Sequence, residues 1–125
     1  MTPDQAMAAL SAPDAQTRRR AADALCSDSE AGVSPAAVPV LLAALDDEPV
    51  PAVRGAILIT LGRSGAPEAK APIDQVLRNA SDPDMLRWAT RALKYWMLQN
   101  GELRGDYKTP YWLPYGEASS KAGSD

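Results

Sequence analysis

Residues 49–62 read PVPAVRGAILITLG. Two prolines open the stretch, an apolar run fills it and a glycine closes it. Proline suits a first helical turn and glycine suits the residue at or past the last one. Val53, Ala56, Ile57, Thr60 and Leu61 form one helical stripe, and Leu58 and Ile59 lie off it. A helix apolar almost all round is buried on more than one side. The stretch therefore predicts a central helix with neighbours on two flanks.

Its wording recurs on either side. RRAADAL at 19–25 and RWATRAL at 87–93 carry the same Arg-x-Ala followed by a leucine, and Arg54-Gly55-Ala56 lies between them. The spacing is about 34 residues, the range of helical-repeat solenoids. SAPD at 11–14 and SDPD at 81–84 precede the outer copies. Ser11 and Ser81 are expected N-caps, with Asp14 and Asp84 three residues on and Pro13 and Pro83 in the first turn.

A second helix type alternates with the first. SPAAVPVLLAAL at 34–45 and APEAKAPIDQVL at 66–77 each hold a second proline, Pro39 and Pro72, which marks the true first turn or a bend just after it. TPDQAMAAL at 2–10 is a shortened copy, with Thr2 as cap and Gln5 completing a capping box. With the Arg-x-Ala helices called A and their partners B, the order is B, A, B, A, B, A and a tail. No β-branched run of period 2 appears, so the expected class is all-α.

The Asp/Pro-rich turn, then Val-Arg and Ala, then Leu-Gly, resembles HEAT repeats, in particular the short type associated with phycobilin lyases. PVPAVRGAILITLG carries the resemblance best; QTRRRAADALC and MLRWATRAL carry it less fully. It covers about residues 2–98. It implies a short right-handed α-solenoid of about three helical hairpins, five to six helices, and an extended C-terminal tail. It also implies a ladder in which Arg19, Arg54 and Arg87 each bond an Asp or a carbonyl in a neighbouring turn. A row of ligand-binding arginines is the alternative role. The expected organisation is a repeat domain over 1–100, an aromatic and proline-rich tail over 101–116 and a flexible end over 117–125.

Composition narrows the function. There is no histidine, which removes His-based triads, imidazole bases and His metal ligands. It also departs from the HEAT-repeat iron hydroxylases, whose metal sites look like His-Glu pairs. One cysteine, Cys26, can build neither an internal disulfide nor a zinc site, and is expected as a small core or near-core hydrophobe. The acidic groups Asp46-Asp47-Glu48 and Asp82/Asp84 fall in inter-repeat turns and read as turn and cap residues. Net charge is −3, against the basic surplus of a nucleic-acid binder. With no signal-peptide pattern and no run long enough to span a membrane, a cytoplasmic location is expected. No cofactor is implied.

The strongest asymmetry lies at the C-terminal end. Every aromatic falls between residues 88 and 115: Trp88, Tyr95, Trp96, Tyr107, Tyr111, Trp112 and Tyr115. On the last A helix, Leu86, Ala89, Leu93 and Trp96/Met97 form one stripe, expected to pack inward. Met85, Trp88, Ala92 and Tyr95 form a second on another face. No B helix follows, so the stack is expected to end half a unit early with an apolar face. Two readings stand for the tail. In one, Tyr111, Trp112 and Leu113 fold back over Trp88 and Tyr95. In the other, the aromatics form a docking surface for another protein, since exposed Trp and Tyr clusters are hot-spot material.

The expected function is a non-enzymatic adaptor, scaffold or accessory subunit that binds a protein partner through a helical face, the aromatic end, or both. A lyase-like or chaperone-like protein handling a bulky apolar ligand, with Trp88, Tyr95 and Trp112 lining its pocket, is the alternative that the phycobilin-lyase resemblance implies. A nucleic-acid binder like the HEAT-like DNA glycosylases comes third. The capping reading of the tail expects Trp112→Ala to lower Tm. The docking reading expects stability to hold and partner binding to fall; a thermal melt run beside a pull-down separates the two.

Overall fold

The computed structural model describes residues 2–27 and 33–102. These hold six α-helices: α1 (Pro3–Ala9), α2 (Ala15–Ser27), α3 (Ala37–Asp47), α4 (Pro51–Ser64), α5 (Lys70–Asn79) and α6 (Pro83–Gln99). A 3-10 turn at Pro67–Ala69 leads into α5. No strand occurs among the described residues, and no helix there is long and apolar enough to cross a membrane. The alternation is the expected one: α1, α3 and α5 are B helices, and α2, α4 and α6 are A helices.

Local chemistry sets the helix ends. At α1 the capping box forms, with Thr2 Oγ1 accepting from the Gln5 amide (3.1 Å) and Gln5 Oε1 accepting from the Thr2 amide (2.9 Å). Pro51 and Pro83 open α4 and α6. Pro39 and Pro72 lie in the first turns of α3 and α5, where no intrahelical amide partner is lost. The expected serine caps are corrected. The Thr17 amide donates to Asp14 and the Met85 amide to Asp82, so these aspartates cap α2 and α6, and Ser11 and Ser81 stand outside. A carboxylate accepts more strongly than a hydroxyl and suits the positive helix end. At the other end of α6, Glu102 N–H donates to Met97 O and Gly101 N–H to Leu98 O, with Gly101 left-handed at φ 72°. This is a paired helix stop closed by a left-handed glycine.

The A helices stack in the order α2, α4, α6, and each B helix packs on the A helix that follows it. The expectation of a half-missing last unit is corrected by this pairing. The hairpins are α1–α2, α3–α4 and α5–α6, so α6 already has its B partner. The core runs along the stack through Leu10, Leu41, Ile57, Leu58, Leu61, Ile73 and Leu93, all buried.

α4 is the shared layer. On one flank its Thr60 hydroxyl lies 2.9 Å from Ala22 O of α2 and 2.8 Å from Ala56 O, sharing its one hydrogen between them. On the other flank its glycines admit α6. A Cβ at Gly55 would enter the Trp88 ring, and one at Gly62 would strike the backbone carbonyl of Ala92. Gly62 is in the helix for contact distance, since alanine is otherwise favoured by about 1 kcal/mol at a helix interior. Gly62→Ala is expected to cost about 1–3 kcal/mol, because overpacking against backbone outweighs that helix gain. Gly55→Ala is expected to cost less, since a side chain can shift where a backbone cannot. Denaturant melts of both variants check the order.

Candidate functional site

The second apolar stripe of α6 turns out to be a packing face. Trp88 lies on Gly55, Ala92 on Gly62, and the Arg63 guanidinium stands 5.0 Å from the centre of the Tyr95 ring, so all three face α4. Trp88 and Tyr95 are half-buried there. The first stripe meets α5 and the turn before it. Trp96 Nε1 donates to Ala66 O at 2.8 Å, and Lys70 Nζ lies 5.7 Å from the Trp96 ring. Trp88 and Tyr95 are therefore placed at a junction of two A helices, not on a bare outer end. Tyr107, Tyr111, Trp112, Leu113 and Tyr115 lie outside the described residues, as do both readings of the tail.

The expected ladder of Arg19, Arg54 and Arg87 takes another register. Arg19 is exposed, and Arg18 makes the contacts. Arg18 is the fourth residue of α2 and Arg54 the fourth of α4. The fourth residue of α6 is Leu86. Arg87 comes one later and pairs with Asp84 on its own helix, at 3.0 Å and in the open. One residue is about 100° of helix rotation, enough to carry a side chain from a turn-facing position to solvent.

Arg18 and Arg54 use Nη1 in the same way. Arg18 Nη1 donates to Ala12 O (2.8 Å) and Pro13 O (2.9 Å); Arg54 Nη1 donates to Leu45 O (2.9 Å) and Glu48 O (3.2 Å). Each thereby holds the turn before its own helix. Arg18 goes further. Its Nε and Nη2 grip Glu48 Oε1 (2.7 Å) and Oε2 (3.0 Å), a two-pronged pair to the next repeat. The Glu48 side chain is 2% exposed, and Oε2 also accepts from the Val50 amide at 3.0 Å. Glu48 was hidden in sequence among the acidic turn residues. Its one distinguishing mark was the Pro49-Val50-Pro51 run behind it, which stiffens the turn and fixes the direction of the side chain.

Two grooves line this side of the molecule. One runs between α1 and α3 and includes Arg18, Val40, Ala43, Asp47 and Glu48. The other runs between α3 and α5 and includes Arg54, Pro72, Gln75, Asn79 and Ala80. They correspond position by position. Counted back from the residue that ends each B helix, Val40 matches Pro72, Ala43 matches Gln75, Asp47 matches Asn79 and Glu48 matches Ala80.

Cys26 is a free cysteine of α2 whose surroundings favour the thiol. It is half-buried, and burial pushes its thiol above the ordinary value, with Arg63 and the Thr60 hydroxyl pulling the other way. Among the described residues no group of three or more His, Cys, Asp or Glu side chains could hold a metal ion.

A family model of HEAT repeats matches residues 3–94, most of the chain. The match is to these repeats as a class and does not single out the phycobilin-lyase type. Neither a comparison with curated proteins nor one with solved structures gave a match.

The Glu48 site has a pH signature. The Arg18 fork, foremost, holds the Glu48 carboxyl below its usual value of 4.5, the Val50 amide and the Arg54 charge assist, and burial opposes. A carboxyl lowered in the folded state stabilises the fold above its unfolded pKa and loses that contribution as pH falls through the folded one. Glu48→Gln is expected to lower Tm by several degrees near neutral pH. The gap to wild type should narrow as pH falls below the usual carboxylate value of 4.5, read by circular dichroism.

Proposed function

The chain belongs to the HEAT-repeat family, and from that membership we propose that it is a non-enzymatic adaptor, scaffold or accessory subunit. It binds another protein through the face that carries the grooves between α1, α3 and α5. HEAT repeats often mediate protein–protein contacts, and the family is generally non-catalytic. A stack of rigid hairpins supports such a role physically, because an extended preformed surface binds without first being ordered.

The observation that carries the reading is the recurrence of one groove in two successive repeats. Chemistry is performed at one place, whereas a repeated groove suits a partner that lies across several units. Each groove is lined by side chains of a B helix and edged by an arginine from an A helix. That mixture of apolar, amide and charged groups gives both contact area and register to a protein ligand.

Ala43 and Gln75 are exposed at matching places in the two grooves. Ala43→Arg and Gln75→Arg are expected to leave the thermal melt unchanged and to weaken partner binding by about tenfold or more, the scale of a lost interface contact. Arg91→Glu, on the exposed side of α6, is the control and should bind as wild type. Affinity capture from the native cell, followed by titration of the captured protein, checks this. Equal binding by all three variants would remove the groove face from the function.

A further inference from the structure

The two grooves differ in one decisive place. Glu48 and Ala80 end their B helices in the same extended conformation, at φ −84°, ψ 116° and φ −72°, ψ 129°, and each stands three residues before the proline-led or proline-containing start of the following A helix. In the first groove Glu48 fills the Nε and Nη2 fork of Arg18. In the second the matching residue is Ala80, which has no acceptor to offer.

Arg54 is anchored through the same nitrogen as Arg18, and shares with it the bond to the carbonyl six residues back. Its Nη1 is bonded to Leu45 O and Glu48 O, which fixes the plane of the guanidinium. Among the described residues no carboxylate lies within ion-pair distance of it; the Glu48 carboxylate, held by Arg18, feels its charge without bonding it, and Asp46 lines the same groove. Arg54 is half-buried on the groove wall. A guanidinium held by one nitrogen presents a preorganised two-donor fork, matched in geometry to a carboxylate.

We propose that Arg54, in the groove between α3 and α5, receives a carboxylate from an acidic segment of the protein partner, which takes the place that Glu48 takes against Arg18. The inference rests on the adaptor reading and adds to it the chemistry of the partner and the point of contact. The chain thus shows on its first groove the arrangement that the partner completes on its second. Gln75 and Asn79 supply amide groups along the same wall for the backbone of the incoming segment.

The probe is a capped peptide with the sequence of residues 46–50, Asp-Asp-Glu-Pro-Val, and its counterpart with Gln in place of Glu. Each is titrated to millimolar concentration into the full 15N-labelled chain. The Glu peptide is expected to shift the Arg54 Nε–H resonance and the amides of Gln75 and Asn79 in a saturable way. The Gln peptide is expected to bind about tenfold more weakly, the scale of one charge-assisted hydrogen-bond pair. Ala80→Glu should supply the carboxylate internally, raise Tm and abolish the peptide shifts. Equal binding of both peptides, or no shift with either, overturns the proposal. So does an Arg54 Nε–H already in its paired position in the wild type, which would assign the site to a carboxylate of the chain's own residues 28–32 or 103–125. A partner captured equally by wild type and by Ala80→Glu also overturns the carboxylate site, while leaving the adaptor reading in place.

Discussion

The close approach of α6 to α4 is the constraint on which the stack depends. α4 has to be covered on two flanks at once, and each flank uses a different device. Toward α2 a buried hydroxyl, Thr60, reaches the Ala22 carbonyl. Toward α6 the side chains vanish altogether at Gly55 and Gly62, so that the Trp88 ring and the Ala92 backbone rest on the α4 backbone. Small residues also line the α2 side, where Ala21 and Ala22 are fully buried. Where the A helices meet through these small residues, packing energy comes from short contact distances and many atom pairs.

The B helices touch one another far less than the A helices do, and the turns beside them are held by side chains. Arg18 and Arg54 do this by donating to the carbonyls that the turns leave without intrahelical partners. Glu48 ties one repeat to the next because its carboxylate sits out of water between Arg18 and the Val50 amide. A buried charge is tolerable when its lone pairs are filled in this way. The grooves are therefore a consequence of the stacking, and their arginines serve the fold before they serve any ligand. The third repeat lacks both the arginine and the acid, with Leu86 and Ala80 in their places.

Much of this architecture was legible in the residues. The Thr2–Gln5 box, Pro39, Pro51, Pro72 and Pro83, and Gly101 act within four residues of themselves, so their roles follow from local geometry. The all-round apolarity of 53–61 announced a middle helix for the same reason. The choice between Arg18 and Arg19 was not legible, since both stand in a run of three arginines and the helix start decides which one points at the turn. Nor was the burial of Trp88 and Tyr95. Periodicity reveals that a stripe is apolar; it does not say which neighbour covers it.

The sequence by itself determined the helix types, their order and the places where they stop, because caps, prolines and hydrophobic period are short-range properties of the chain. Only the tertiary structure decided that each B helix pairs with the A helix after it, that Gly55 and Gly62 form the seat of α6, and that Glu48 closes onto Arg18 thirty residues away. These outcomes depend on the rotation of each helix about its axis relative to its neighbours. That rotation is fixed when side chains interdigitate, and a linear pattern does not contain it.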